Sequence, residues 1–314
     1  MTKPRLVIVA GMSGTGKSTT AQNISYLYSR NGIVHDWYHE EMRDHPIRWS
    51  DGGEFTVGDI KTEEGMRANI ADTFDRWKKL VGFMHAKGGE FVMEGCLYQN
   101  IIRYFIPGGY PKEKIKSYYN ELMGILQSTD LHIIHLYRPD VRLSFQQAFQ
   151  VRGVRWENII TEGKSDFDYA DEMAYQTLAQ EIFTTYPGKK LSLDTSENLW
   201  DEYLNKIANF LGIRYFPKVY IPVTNNKRYT GHFVYEDDMS VKTVDVIEEN
   251  GKLFLSPSWF THIQMSQISE NEFELAAFPM VFRYELVGDD VYITVTGNYD
   301  WGIVGKTLKR VDKR

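Results

Sequence analysis

Eight residues near the amino terminus, Gly11-Met12-Ser13-Gly14-Thr15-Gly16-Lys17-Ser18, combine the groups that hold phosphate. Glycines at this spacing let backbone N–H groups turn inward around phosphate oxygens. A helix that starts at the end of such a loop adds the positive end of its dipole. Lys17 can then reach the β- and γ-phosphates, and Ser18 offers its hydroxyl to a magnesium ion. With Thr19, the stretch Gly11–Thr19 is the candidate nucleotide-binding segment and Ser18 the candidate metal ligand. Glu94 closes the apolar run "EFVME". A carboxylate buried there without a partner would be costly, so Glu94 is expected to meet a cation or a substrate, as a magnesium holder, an acceptor contact or a base.

These groups need a scaffold. "RLVIVA" (Arg5 to Ala10) is a continuous apolar run of the kind a strand buried in a parallel sheet shows, and "TTAQNISYLYSRNG" after the loop reads as a helix stopped by Gly32. Further strands are expected in "GIVHDWYHE" (Gly32 to Glu40), with Asp36 at its carboxyl end, in "EFVMEGC", in "LHIIHLYR" and in "KKLSLD". Helices are expected over about 58–88, from Pro111 to about 128, after Pro139, within Gly163 to Phe183, and up to Ile213. In "DTSEN", Thr195 or Ser196 is the expected cap of that last helix. Five strands alternating with helices predict an α/β fold with a doubly wound parallel sheet. Ligands bind such sheets at the carboxyl ends of the strands, so Asp36, Glu94 and Arg138 are all expected to face the loop.

The loop alone serves ATPases, GTPases and kinases. "TNNKRY" (Thr224 to Tyr229) lacks the Asp of a guanine-reading N-K-x-D, "EFVMEGC" ends in a lone Glu rather than Asp-Glu, and no L-S-G-G-Q-like segment is present. A kinase fits better. Over residues 5–213 the chain resembles the P-loop kinase group that includes nucleoside and nucleoside-monophosphate kinases and chloramphenicol-type phosphotransferases. The resemblance rests on Gly11–Ser18, on the carboxylate assigned to the end of strand 2, and on "QVRGVRW" after strand 4. It implies Asp36 as the base for an acceptor hydroxyl, with Glu94 as the alternative. It also implies a lid in which Arg152 and Arg155 clamp the transferred phosphoryl group, hinged at Gly153. "FVMEGCLYQNIIRYF" is loosely similar to the Glu-Arg-Ser segment of deoxynucleoside kinases, but Gly95 stands where the Arg would be. Arg138 and Arg142 in "RPDVR" serve equally well as helix-capping residues.

"VHDWYHEEMRDHPIRW" (Val34 to Trp49) gathers His35, His39 and His45, yet has no H-E-x-x-H-type spacing, which disfavours a transition-metal site. Trp37, Tyr38 and Trp49 either stack on the acceptor or fill the core.

Composition sets the outer limits. A chain of 314 residues predicts two domains, with a boundary at 214/215. A single cysteine, Cys96, excludes an internal disulfide framework and suits a reducing cytoplasm. A formal charge of −6 argues against a large nucleic-acid footprint, and no apolar run is long enough for a bilayer. From Pro217 onward short alternating strands with a turn at Asn250-Gly251 predict an antiparallel barrel of 215–314, similar to the lipocalin-like barrel attached to some serine hydrolases of the penicillin-binding class. Ligand binding, cover for the acceptor site, homodimerisation and a purely structural role stay open for it. Trp259, Tyr299 and Trp301 are expected as barrel or interface aromatics.

The expected activity is transfer of the γ-phosphoryl group of ATP, or of GTP, with Mg²⁺, to a hydroxyl of a small molecule: a metabolite, nucleoside, sugar or antibiotic. The alternatives are a nucleotide or nucleic-acid end kinase and a regulatory ATPase without an acceptor.

Overall fold

The computed structural model of the chain describes residues 3–47, 62–98, 109–152, 169–223, 226–236, 241–257, 263–299 and 302–311, together with Ile102, Phe105, Ile106, Glu157 and Thr161. Arg155, Trp49, Trp259 and Trp301 lie outside the described residues, as does the side chain of Arg152.

The apolar run after Pro4 forms β1 (Arg5–Gly11) at the centre of a five-stranded sheet. Its neighbours are β2 (His35–Tyr38), β3 (Glu90–Glu94), β4 (Asp130–Tyr137) and β5 (Lys189–Asp194), in the order β2-β3-β1-β4-β5, every pair parallel. The chain leaves β1 on one side, returns through β2 and β3, and crosses to β4 on the other. The reversal falls at β1, and the phosphate loop emerges there. Side chains alternate across the sheet. Leu6, Ile8, Phe91, Met93 and Ile133 pack on one face with residues of α2 (Glu63–Lys87), α3 (Lys112–Leu126) and a later helix, Tyr169–Thr185. Val7, Val9, Val92, Ile134 and Leu136 pack on the other with α1 (Lys17–Arg30) and Trp200–Leu211. In chain order α4 is Val141–Arg152, α5 Tyr169–Thr185 and α6 Trp200–Leu211.

Local signals place most boundaries. Thr62 caps α2 by accepting the Gly65 N–H at 3.0 Å, Pro111 stands at the N-cap of α3, and Asn31 and Gly32 (φ 70°) close α1. Two expectations are corrected. The residue at the N-cap of α6 is Leu199, without a side-chain bond. The Ser196 hydroxyl donates to Asp194 and the Thr195 hydroxyl to the phosphate loop instead. The second correction concerns β2, which is only four residues long, so Asp36 is its second residue and not its last. Asp36 pairs with Phe91, three residues before Glu94, and its carboxylate meets Lys87 Nζ at 2.5 Å. His39 and Glu40 are the residues that follow the end of β2.

The chain groups into two compact units, Met1–Val141 with Asp168–Phe216, and Arg142–Phe167 with Pro217–Arg314. In the second unit β6 (Gly231–Glu236), β7 (Val241–Glu249), β8 (Lys252–Pro257), β9 (Ile263–Ser269), β10 (Glu272–Leu275), β11 (Met280–Val287), β12 (Asp290–Gly297) and β13 (Thr307–Val311) form a closed antiparallel barrel. Strands adjacent in sequence are adjacent in space, and β13 pairs back onto β6. The β7–β8 turn has Asn250 at φ 52° and Gly251 at φ 76°, the two left-handed residues a tight hairpin needs. Phe233, Leu253, Phe273, Phe282, Tyr284 and Ile293 are among the buried side chains that fill the barrel. Tyr299 packs edge-on against Phe278 at 5.1 Å. Among the described residues no helix is long and apolar enough to cross a membrane.

Candidate active site

The loop between β1 and α1 is held from several sides. Thr15 Oγ1 donates to the Met12 carbonyl at 2.8 Å, and Thr195 Oγ1 donates to the Thr15 carbonyl at 3.0 Å. Gly16 has φ 91°, and a Cβ there would run into the indole of Trp200. Glycine is therefore required twice over at Gly16, by backbone conformation and by space. Thr195 comes from the β5–α6 connection and Trp200 opens α6, so one short stretch of chain braces the loop next to the first turn of α1. The Lys17 ammonium, buried in this turn, donates to the Met12 carbonyl at 3.3 Å.

Ser18 points the other way. Its hydroxyl donates to Glu94 Oε1 in a short contact. Glu94 ends β3 in register with Val9 of β1, which puts it beside the loop, and it is fully buried. Burial pushes its carboxyl above the usual range; His39, Lys17 and the Ser18 hydroxyl act against that, whereas Glu40 adds to it. His39 Nε2 stands 3.4 Å from Glu94 Oε2, a long ion-pair contact rather than a hydrogen bond. Glu40 lies over the residue after Glu94: a Cβ on Gly95 (φ 65°) would stand 2.6 Å from Glu40 Oε2. The edge of the sheet thus carries an ammonium, a hydroxyl, two carboxylates and an imidazole within one cluster.

Arg138 follows β4 and is buried. Its guanidinium reaches Thr195 Oγ1 at 3.3 Å and Asn198 Oδ1 at 2.7 Å, and its backbone exchanges bonds with the Gln176 amide. Burial lowers its pKa, with Tyr203 and Asp194 acting in the opposite direction. Arg138 therefore joins the loop through Thr195.

Of the residues singled out in the sequence, the structure gathers Gly11–Thr19, Lys17, Ser18, Glu94 and Arg138 at the loop. It leaves Asp36 at the start of β2 on Lys87. Sequence reasoning missed Glu40 as an acid and weighed His39 only as a metal ligand. A signal was present, because "HEE" directly follows the aromatic pair Trp37-Tyr38, but which carboxylate ends the strand depends on how far β2 pairs with β3.

The donor set fits a magnesium nucleotide: Glu94 Oε2, buried and without a hydrogen-bond partner among the described residues, stands beside a serine hydroxyl and a lysine at a helix N-terminus.

No family model matches the chain, and no curated protein does. Among solved structures, the chain is similar to the YorR protein of Bacillus subtilis in complex with phosphorylated GDP, with 13% identity, 66% of this chain and 95% of that chain covered, and a TM-score of 0.38. It is also similar to thymidylate kinase from Ehrlichia chaffeensis, with 10% identity, 67% and 100% covered, and a TM-score of 0.40. The fold assignment stands on the strand order and the loop position described above.

Proposed function

We propose that this chain is a phosphotransferase that moves the γ-phosphoryl group of ATP to a hydroxyl group of a small molecule, with Mg²⁺. The observation that carries the reading is the buried Glu94 carboxylate bonded to Ser18 at the exit of the phosphate loop, with the Glu40 carboxylate beside it. A carboxylate buried at that point raises the energy of the protein alone and is useful when a cation joins it.

In this reading the backbone N–H groups of Gly14 to Ser18 and the Lys17 ammonium hold the β- and γ-phosphates. Ser18 and Glu94 would hold the magnesium ion, which would neutralise charge on the phosphate oxygens. The acceptor oxygen attacks the γ-phosphorus, the bond from that phosphorus to the β,γ-bridging oxygen breaks, and ADP leaves. Glu40, at the end of β2, takes the proton of the attacking hydroxyl, the role that the sequence reading gave to Asp36. Arg138 steadies the β5–α6 connection against the loop. Arg152 and Arg155 remain part of the proposal as phosphoryl clamps on sequence grounds alone. The transfer chemistry is assigned to residues 1–214, and 215–314 to a separate barrel domain.

The test is transfer of label from γ-labelled ATP into a fractionated extract of small metabolites, with a Lys17→Ala control. A labelled small molecule, lost in the control, supports the reading and identifies the acceptor. Label in a nucleic acid would favour an end kinase, and label only in free phosphate an ATPase without an acceptor.

A further inference from the structure

The segment after β2 contributes two buried histidines, His39 and His45, and both rings are used in the same way. His39 Nδ1 accepts the backbone N–H of Glu41 at 3.1 Å, and His45 Nδ1 accepts the backbone N–H of Ile47 at 3.1 Å. Each backbone N–H thus fixes the Nδ1 side of its ring and turns the Nε2 side away from the segment. Both Nε2 atoms face the turn that ends β3. His39 Nε2 is 3.4 Å from Glu94 Oε2, and His45 Nε2 is 3.7 Å from Cys96 Sγ. The two rings are themselves packed edge-on against the aromatic side chains of β2, Trp37 on His39 and Tyr38 on His45.

Between the two contacts lies Gly95, the residue over which Glu40 sits. Gly95 (φ 65°) and Cys96 (φ 60°) are consecutive left-handed residues, and for Cys96 that conformation costs about 1–2 kcal/mol. Such a turn persists where its surroundings over-determine it. The Gly95 N–H is tied to the Val9 carbonyl at 2.9 Å, and the Leu97 carbonyl takes the Tyr119 hydroxyl at 2.8 Å. These bonds fix the two ends of the turn; the imidazoles meet its side chains.

We infer that His39 and His45 are positioning residues for the proposed phosphoryl transfer: held at Nδ1 by the backbone, the two rings clamp both sides of the Glu94–Cys96 turn and so set where the Glu94 and Glu40 carboxylates stand. The inference rests on the phosphotransferase reading for its purpose, but its geometry is testable without it.

Two exchanges at His39 separate its two ends. His39→Gln places an amide N–H near the Nε2 position, and His39→Asn places an acceptor near the Nδ1 position and does not reach Glu94. Turnover of Mg-ATP, followed as labelled phosphate released to water, is the kinetic probe. His39→Gln is expected to stay within about threefold of the wild type, and His39→Asn to lose tenfold or more in kcat, on the order of what a misplacement of well under 1 Å costs, with little change in KM for ATP. Equal activity of His39→Asn and the wild type overturns the inference, as does an equal fall of both variants that follows their melting temperatures. The second readout is nitrogen NMR of histidine-labelled protein at pH 7.5, which reports the tautomer of each ring. An Nδ1 that shows as an unprotonated acceptor in both rings supports the clamp; an Nδ1–H at either position overturns it. If the wild-type protein releases no phosphate to water, the NMR result decides the clamp, and transfer of label into small metabolites decides the phosphotransferase reading.

Discussion

In the parallel-sheet unit two carboxylates (Glu94 and Glu172), the Lys17 ammonium, the Arg138 guanidinium and the imidazoles of His39, His45, His132 and His135 are all buried. In the barrel, among the described residues, the buried polar side chains other than tyrosine are only Ser266 and Gln267. The tyrosine hydroxyls there are satisfied locally: Tyr284 donates to the Tyr229 carbonyl and Tyr229 to the Glu270 carbonyl, each at 3.0 Å. A barrel closed by its own hydrogen bonds and filled with Phe, Leu and Ile has its stability without keeping charge inside. The sheet unit keeps Lys17, Glu94 and Arg138 buried around the phosphate loop, where desolvation works against charge, and that cluster is what marks the loop as the place of chemistry.

The largest effect is expected at the loop. Lys17→Ala should cut phosphoryl transfer by about a thousandfold or more while leaving the melting temperature nearly unchanged, because the lysine contributes charge to the phosphates and little to packing. Transfer of γ-labelled phosphate by a folded variant checks it. In the barrel the reverse is expected. Phe282, fully buried, should cost about 3–5 kcal/mol of barrel stability as Phe282→Ala, read by denaturant unfolding. At temperatures where that variant stays folded, phosphoryl transfer should be unaltered; a fall in kcat would make the barrel part of the catalytic apparatus.

His135 gives a pH test inside the sheet unit. It is fully buried on β4 among Phe183, Tyr137 and Tyr98, and neither ring nitrogen has a hydrogen-bond partner among the described residues. Burial lowers its pKa from 6.5 to about 4. Above pH 6.5 the ring is neutral in both folded and unfolded chains and has no pH-dependent effect. As the pH falls from 6.5 to about 4, the unfolded chain takes up the proton first and the folded state loses stability, by up to about 3 kcal/mol in all. His135→Phe should remove this loss, so the stability gap between variant and wild type should widen from pH 7 down to pH 4.5 in parallel melts. A constant gap would mean that the ring is not held neutral.

The two acids of the β2 region give the last comparison. Glu40→Gln should lower kcat by about a hundredfold, as expected for loss of a general base, whereas Asp36→Asn should stay within about threefold and cost only the exposed pair with Lys87. Steady-state kinetics of the two variants side by side would decide; the opposite ranking would return the base to Asp36 and remove Glu40 from the mechanism.

How much of this was legible before folding differs from residue to residue. The loop was legible because its signals are local: an apolar β-rich run, glycines at fixed spacing, and a helix start after Gly16. Glu94 was legible because an acid at the end of a run with buried flanks is conspicuous. The barrel strands were legible from their alternation and from Asn250-Gly251, apart from β9, whose sequence "IQMSQIS" mixes polar residues into the pattern. Asp36 misled because a strand end was read from apolar content, and "GIVHDWYHE" has apolar residues on both sides of it.

By itself the sequence determined the fold class of the amino-terminal part, the phosphate loop and the buried acid of β3, because each depends on chemistry within about ten residues of chain. Only the tertiary structure decided that β2 stops at Tyr38, since strand length is a matter of pairing with β3, and so it was the fold that brought Glu40 and His39 to Glu94. It likewise decided that Trp200 and Thr195, some 180 residues away in the chain, brace the loop rather than cap a helix. Contacts of that range follow from how the parallel strands are ordered, and no local pattern encodes the order.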